Sequence, residues 1–228
     1  MSYLLEGLRQ GVALLLPPGR EILQIIALSL AVSGAATVLA SLAAVPAALF
    51  LALREFRGKR LLVGLLNTAM AVPAVLIGLL VYGLVSRRGP LGALGLLFTP
   101  GAMVLAQALL AFPLITALAL AALKGVACEA RDLALSLGAD RRQLAVAVIR
   151  QGRFAFLTAI IAGFSRVIGE TGMTLMVGGN IKGQTRVLTT AISLETMKGN
   201  FEIGIALGIV LLLAALAINV ALQVAQGK

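Results

Sequence analysis

Four long stretches without a charged residue constrain the fold of this chain more than any other feature. They cover residues 22–53, 61–86, 89–123 and 203–227. A helix needs about 20 predominantly apolar residues to cross a membrane, so each stretch is long enough for one crossing. A fifth crossing is predicted at residues 154–177, where only Arg166 and Glu170 interrupt the apolar sequence. The chain is therefore predicted to be an all-α membrane protein of about five transmembrane helices, with residues 1–228 forming one domain.

The two longest stretches, residues 22–53 and 89–123, exceed what one crossing requires. Part of each is therefore expected to lie in the membrane interface or to form an external turn. Pro46, Pro73 and Pro113 fall within the first three stretches. Each proline is expected to kink its helix, because it lacks the N–H group that continues the hydrogen-bond ladder.

The composition excludes several classes of protein. The chain contains no histidine, which rules out Ser-His-Asp hydrolysis and histidine metal sites. Its single cysteine, Cys128, cannot form a disulfide within the chain. We therefore predict no catalytic site, no resident cofactor and no metal site. The net charge of +10 comes from cations at the ends of spans rather than on one continuous face, so nucleic acid is not expected as a partner.

The loop cations predict how the chain crosses the membrane. Residues 54–60 contain four cations and one acid, and residues 124–153 contain six cations. Because cytoplasmic loops retain Lys and Arg, both loops are predicted to be cytoplasmic. This places the N-terminus outside and the C-terminus in the cytoplasm of a multi-pass cell-membrane protein. Residues 1–20 are apolar at helical spacing up to Pro17 and Pro18, which predicts an interfacial N-terminal helix.

The loop at residues 124–153 is the one substantial polar stretch, and it is predicted to form a helical hairpin. Gly138 suits the position after the first helix, where a left-handed residue is needed. Asp140 is predicted to cap the second helix, with Gln143 completing a capping box. An apolar ridge is contributed by Leu133, Leu137 and Leu144. Charged sides around an apolar ridge favour insertion into a groove of a cytosolic protein; a helix pair lying on the lipid is the alternative.

Two further features lie in and after the fifth predicted span. Arg166 and Glu170 are spaced i,i+4, so both are expected on one helix face, where they can pair. Because charges within a membrane are costly, the pair either lines a transport pathway or is a structural salt bridge. The sequence GGNIKGQT at residues 178–185 has the glycine spacing of a phosphate-binding loop. Gln184 stands where that loop needs lysine, so this segment is not expected to bind a nucleotide.

The sequence DLALSLGA, which begins at Asp132, resembles the EAA loop of ABC importer permeases. Asp132 stands where that family has glutamate, while Ala134 and Gly138 match its alanine and glycine. Glu129 with Ala130 offers a second register for the acid–alanine pair, so the position of the acid stays open. In that family the loop is a coupling helix that docks into the ATPase subunit. The resemblance implies that ATPase coupling involves Glu129, Ala130, Asp132, Ala134, Leu137, Gly138 and Ala139.

Residues 165–192 are similar to molybdate and tungstate importer permeases, whose motifs GE, GNI, G-x-T and T-x-AI occur here in the same order. Lys182 stands where the molybdate branch usually has proline, and the sequence that follows looks more like the tungstate branch. The resemblance implies that residues 178–200, which we call the gate segment, form an external gate. The residues implicated in the translocation path and gate are Arg166, Glu170, Asn180, Thr185 and Thr189.

The resemblance also implies a fold, partners and a substrate. The expected fold is the type I, MetI-like permease core, with a transport role and no ATPase site of its own. The implied partners are a second copy of the chain, two cytosolic ABC ATPase subunits that use ATP and Mg, an extracytoplasmic oxyanion-binding protein and membrane lipid. Tungstate is the expected substrate. The alternatives are molybdate, sulfate or phosphate moved by the same mechanism, and an ATP-independent secondary transporter.

Overall fold

The computed structural model describes Arg9, residues 19–136 and residues 140–225, without the side chains of residues 124–136, 141–142, 145, 222–223 and 225. The interfacial helix predicted within residues 1–20 therefore lies almost wholly outside the described residues. Within the described ranges the chain forms eight α-helices and no strand. They are α1 (Arg20–Leu53), α2 (Lys59–Met70), α3 (Ala74–Val85), α4 (Pro100–Ser136), α5 (Arg141–Ile168), α6 (Gly172–Gly178), α7 (Leu188–Met197) and α8 (Phe201–Ala225).

Several helices are long and apolar enough to cross a membrane. The four individual candidates are Arg20–Leu53, Pro100–Leu123, Val146–Ile168 and Phe201–Ala221. Helices α2 and α3 make a fifth span if they are counted as one broken element. The prediction of an all-α membrane protein with about five spans is confirmed. Helices suit this environment because they satisfy their own backbone hydrogen bonds, which lipid cannot do.

The three prolines in the predicted spans behave differently. Pro46 and Pro113 lie inside α1 and α4, and both helices continue through them. At Pro73 the helix stops: α2 ends at Met70 and α3 resumes at Ala74. The second predicted span is therefore not one kinked helix but two 12-residue helices, related by a bend of 99°. Pro73 cannot donate to the helical ladder, and the residue before a proline avoids the α conformation; the same holds for Pro46 and Pro113, so proline alone does not decide where the helix breaks.

Two other predicted spans have different boundaries in the structure. Helix α4 begins only at Pro100; before it, residues 89–99 form turns and the 3-10 turn Gly92–Leu94, so the turn expected in this stretch is present. Helix α5 ends at Ile168 with Gly169 as its C-cap, and α6 starts at Gly172. The fifth predicted span is therefore present, at Val146–Ile168, but its predicted end at residue 177 is wrong, because two closely spaced glycines disfavour helix propagation beyond Ile168.

The core lies between α1 and α4, which pack along rows of small side chains. The rows are Ala36, Ala40, Ala44 and Ala48 on α1 and Ala102, Ala106, Ala111 and Ala119 on α4, all buried in one cluster. A spacing of four residues keeps the α1 alanines on one helix face. Small residues let helix backbones approach closely, which is how membrane helices gain contact in the absence of a hydrophobic driving force.

The start of α5 is fixed by the predicted capping box. Asp140 Oδ1 accepts a hydrogen bond from the N–H of Gln143 at 2.7 Å, and Gln143 Oε1 accepts one from the N–H of Asp140 at 2.8 Å. Both bonds satisfy backbone donors that have no partner inside the helix. Helix α5, predicted as the second helix of the hairpin, therefore begins where the sequence predicts.

Candidate functional site

The predicted coupling residues follow the part of α4 that crosses the core. The backbone of α4 is helical without a break for 37 residues, up to Ser136. This helix includes Glu129, Ala130, Asp132 and Ala134, whose side chains are not described. Leu137, Gly138 and Ala139 lie outside the described residues. The acid–alanine positions are thus a direct helical extension of a buried core helix.

An ion pair lies at the end of α5 that is remote from the hairpin. Arg166 Nη1 is 2.9 Å from Glu170 Oε2. The predicted pairing is confirmed, but the shared helix face is wrong, because α5 ends at Ile168 and Glu170 follows it. The side chain of Glu170 is 13% exposed and that of Arg166 is 42% exposed, so the carboxylate is held inside while the guanidinium reaches the surface. A charged pair at the end of a span costs much less than one at its centre.

Two threonine hydroxyls hold the backbone of Glu170. Thr174 Oγ1 donates to the Glu170 carbonyl oxygen at 2.9 Å, and Thr189 Oγ1 donates to the same oxygen at 3.1 Å. Both threonines are buried, so these bonds are shielded from competing water. Thr189, a predicted pathway residue, therefore directs its hydroxyl at the backbone and anchors the start of α7 to Glu170.

The gate segment opens with a left-handed turn. Gly179 has φ +72° and Asn180 has φ +52°, a conformation that asparagine adopts more readily than most residues. Asn180 Oδ1 accepts a hydrogen bond from Arg186 Nε at 3.3 Å, and its Nδ2 donates to the Thr190 carbonyl oxygen at 3.3 Å. Asn180, another predicted pathway residue, thus ties the turn to the start of α7.

Phe98 covers this turn from the segment between α3 and α4. Its N–H donates to the Val177 carbonyl oxygen at 3.0 Å. Its ring lies so close to Gly179 that a Cβ at that position would be 2.8 Å from Phe98 Cδ1. Phe98 itself has φ +61°, which is uncommon for an aromatic residue, and Tyr82 packs edge-on against its ring. Position 179 therefore needs glycine both for its backbone angle and for space.

Thr185 is fully buried beneath the turn. Its Oγ1 donates to the Gly178 carbonyl oxygen at 2.5 Å and accepts from the Ile181 N–H at 2.9 Å. The N–H groups of Gln184, Thr185 and Arg186 all lie 3.0 to 3.1 Å from the Ile181 carbonyl oxygen. The hydroxyl predicted to face the pathway is committed to shaping the turn in this conformation.

Glu21, which sequence reasoning did not single out, links the gate segment to α1. Its Oε2 lies 2.7 Å from Lys182 Nζ, and its Oε1 lies 3.6 Å from Arg186 Nη1. With Gln24, these side chains line an open pocket of about 530 Å³. The only indication of a role for Glu21 in the sequence was its position in the first turn of a helix, where a negative charge interacts favourably with the helix dipole. Nothing in the local sequence indicates that its partners are Lys182 and Arg186, about 160 positions away along the chain.

Ser29 is a second residue that sequence reasoning missed. Its Oγ accepts a hydrogen bond from the Leu188 N–H at 2.8 Å while donating to the Ile25 carbonyl oxygen at 2.7 Å. Ser29 thereby caps α7 from a different helix, since Val187 at the N-cap position has no side-chain acceptor. A single serine in an apolar helix gives no sign of this role in the sequence.

Glu195 fixes the end of the gate segment. Its Oε2 accepts from Asn200 Nδ2 at 2.8 Å, and its Oε1 accepts from Lys198 Nζ at 2.8 Å. The hydrogen bond from Asn200, followed by that from Lys198, holds the pKa of Glu195 below its ordinary value of 4.5, because both donors stabilise the carboxylate. The turn into α8 is therefore closed around a charged carboxylate at neutral pH.

Residues 44–227 match the family of binding-protein-dependent transport system inner membrane components. The chain belongs to this family. It is 42% identical to the tungstate uptake system permease protein TupB of Peptoclostridium acidaminophilum, over 96% of each chain. It is 37% identical to the protein of the same name from Campylobacter jejuni, over 96% of this chain and 92% of that one. It is also 42% identical to a probable anion ABC transporter permease protein of Haloferax volcanii, over 87% of this chain and 88% of that one.

Family membership confirms the MetI-like permease fold and the transport role predicted from the sequence. The chain is a multi-pass inner-membrane component of an ABC transporter. Systems of this family combine such a component with an ATPase and a substrate-binding protein, so partners of both kinds follow from membership.

Proposed function

We propose that this chain is the membrane-spanning permease subunit of an ATP-driven importer of tungstate. The observation that carries the proposal is the match to a tungstate permease along almost the whole chain, with 42% identity over 96% of each sequence. Tungstate is a tetrahedral dianion. The exposed guanidinium of Arg166 and the cations Lys182 and Arg186 supply positive charge that attracts such an ion to the gate.

The Arg166–Glu170 pair suits a position that an anion passes without remaining. A guanidinium presents five N–H donors in a planar fork that matches an oxyanion. Glu170 occupies only part of that fork, through Nη1, and the 42% exposed Arg166 side chain can meet an anion with the rest. Because Glu170 competes for the guanidinium, the anion binds weakly enough to leave again, which conduction requires.

Helix α4 connects the proposed ATPase site with the gate. Its 37 residues extend about 55 Å, against about 30 Å for the hydrocarbon core of a membrane. In the proposed orientation the N-terminus lies outside and the C-terminus in the cytoplasm. The part of α4 that exceeds the thickness of the membrane then extends into the cytoplasm, and it carries the coupling residues there together with the rest of residues 124–153. Two cytosolic ATPase subunits, using ATP and Mg, close and push on these residues. The motion reaches the gate because α4 also contacts α6 through Gln107.

A second copy of the chain covers the elbow between α2 and α3. Ala71 and Pro73 at the helix break are exposed, and so is Asn67 on α2. Irregular backbone at membrane depth occurs only where protein or a water-filled cavity covers it, and polar side chains there likewise avoid lipid. A homodimer with its two-fold axis beside this elbow provides that cover. Helix α3 packs against α6, so the same axis passes near Glu170.

Proteoliposomes containing this chain, its ATPase and its binding protein test the proposal. We expect ATP-dependent uptake of tungstate that exceeds uptake of molybdate, sulfate and phosphate. Glu170→Gln should slow uptake several-fold in a fully assembled complex, because the freed Arg166 guanidinium then holds the anion. Glu202→Gln, at the start of α8, is the matched acid-to-amide control and should transport normally.

Specific results contradict the parts of this proposal separately. Uptake that needs no ATP identifies a secondary transporter, and preferred uptake of molybdate, sulfate or phosphate identifies another oxyanion as the substrate. Gly138→Val should uncouple ATP hydrolysis from uptake, because a β-branched residue is strained in the left-handed conformation predicted there. Normal uptake by that variant at normal membrane abundance would falsify the docking role of residues 124–153.

A further inference from the structure

Gln107 is buried in the apolar helix α4, next to the gate. It is 2% exposed, and its Nε2 lies 3.4 Å from Thr174 Oγ1. Its Oε1 is also buried and has no hydrogen-bond partner among the described residues. A buried acceptor without a donor is destabilising. An apolar side chain of similar size would therefore suit this conformation better than glutamine does.

The hydrogen bond that Thr174 makes accounts for the direction of the amide in this conformation. The Thr174 hydroxyl has one proton, and it donates that proton to the Glu170 carbonyl oxygen at 2.9 Å. Gln107 therefore approaches Thr174 with its NH₂ group. As long as Thr174 donates to Glu170, turning the amide over would place its oxygen against a hydroxyl oxygen whose proton is already used. One proton thus has two potential acceptors, and in this conformation Glu170 receives it.

The Glu170 carbonyl does not depend on Thr174 alone. Thr189 Oγ1 also donates to it, at 3.1 Å. Once the Gln107 amide has turned over so that its Oε1 faces Thr174, the hydroxyl can therefore donate to it without leaving the Glu170 carbonyl unpaired. Helix α6, which carries Thr174, has only seven residues, and non-helical residues separate it from α5. Few backbone hydrogen bonds need to change for α6 to shift against α4.

We propose that Gln107 is a positioning residue that sets the balance between two states of the gate. In the state described above, Thr174 donates to the Glu170 carbonyl. In the other state α6 has shifted, the Gln107 amide has turned over so that its Oε1 accepts the Thr174 proton, and Glu170 moves together with its ion-paired Arg166. This inference rests on the proposed function, since it takes Glu170 to be part of the gate. Because α4 also carries the coupling residues, Gln107 is a polar contact through which motion of that helix reaches α6.

Gln107→Met tests the inference in the assembled transporter. Methionine keeps the approximate volume of glutamine and has no amide, so it removes the unpaired acceptor and favours the state described above. We expect the rate of tungstate uptake to fall about tenfold, the order of effect of one buried hydrogen bond. The abundance of the assembled complex should stay unchanged.

A direct readout of the gate separates positioning from folding. Ser165 is exposed beside Arg166. In a Cys128→Ala background, Ser165→Cys places the only thiol of the chain there. Its rate of reaction with a membrane-impermeant maleimide reports the state of the gate. We expect ATP to change this rate in the parent complex and Gln107→Met to suppress that change.

Thr116→Val is the matched control for Thr174→Val. Both threonines are buried and both donate to the carbonyl four residues earlier, Thr116 to Phe112 at 2.7 Å. Only Thr174 has its hydroxyl against Gln107. Gln107→Met should therefore lose its effect in the Thr174→Val background and keep it in the Thr116→Val background.

Equal effects of Gln107→Met in both backgrounds would overturn the inference, as would a thiol response to ATP that matches the parent. If Gln107→Met does not assemble, Gln107→Leu replaces it. The leucine variant must likewise lose its effect in the Thr174→Val background and suppress the thiol response to ATP. A parent complex that carries no tungstate contradicts the proposed function alone, because the thiol reaction then still decides the role of Gln107.

Discussion

Gly179→Ala tests how the gate turn is built. Gly179 has φ +72°, and a Cβ there would lie 2.8 Å from Phe98 Cδ1. The left-handed backbone costs alanine about 1–2 kcal/mol. Displacing the Phe98 ring costs about 1–3 kcal/mol more, as overpacking does in other well-packed sites. We expect a total destabilisation of about 2–5 kcal/mol, the sum of these two contributions.

Gly183→Ala separates the two contributions. Gly183 has φ +75°, but no heavy atom of the described residues lies within 4 Å of its added Cβ. This variant should lose only the backbone contribution of about 1–2 kcal/mol. Adding Phe98→Ala to Gly179→Ala removes the ring that the new Cβ meets. The added cost of Gly179→Ala over Gly183→Ala should disappear in that background, which a double-mutant cycle measures.

Thermal midpoints of the purified chain, measured in one detergent at one scan rate, rank these variants. One kcal/mol corresponds to about 2–4 °C in a chain of this size, so Gly179→Ala should unfold at least about 2 °C below Gly183→Ala. Equal midpoints for the two alanine variants would refute the claim that the Phe98 ring packs against the turn. The same conclusion follows if Phe98→Ala leaves the cost of Gly179→Ala unchanged.

Three further predictions use thermal unfolding. Ser29→Ala leaves the Leu188 N–H without its cap and should cost about 1–2 kcal/mol, seen as a lower midpoint; an unchanged midpoint would contradict the cap. Glu21→Gln should cost less than about 1 kcal/mol, because the Glu21 side chain is half exposed, and the effect should vanish in high salt if the ion pair with Lys182 causes it. The lowered pKa of Glu195 means that its stabilisation is present above the ordinary value of 4.5 and is lost as pH falls through the lower folded value. As the pH is lowered from 4.5, the thermal midpoint of Glu195→Gln should therefore decrease less than the thermal midpoint of the parent does.

Features that depend on local sequence could be predicted. The charge-free stretches predict spans because crossing a membrane requires only length and apolarity. The box at Asp140 and Gln143 was predictable because both hydrogen bonds join residues three positions apart. The pairing of Arg166 with Glu170 was predictable for a similar reason, since the two residues are near neighbours along the chain.

The break between α2 and α3 shows where local sequence fails. The tetrapeptide AVPA occurs twice, at residues 44–47 and at residues 71–74. The first copy lies inside the continuous helix α1, and the second forms the break beside the 99° bend. The copies differ in their surroundings: Ala44 is fully buried in the core cluster with α4, whereas Ala71 is exposed. Packing against a neighbour decides whether helix continues through such a proline, and a single sequence does not reveal that packing.

The hydrogen-bond partners of the gate side chains could not be predicted from the sequence either, and they matter for the mechanism of the proposed gate. The resemblance implicated Asn180, Thr185 and Thr189 in the translocation path and gate, and their amide and hydroxyl groups are neutral donors that suit an anion. The structure commits all three to backbone or side-chain partners within the site. Among the predicted pathway residues, Arg166 alone extends a 42% exposed charged side chain to the surface. In the proposed pathway the donors that hold this turn together are thus the donors that an anion could use, so opening the turn would expose them to the anion.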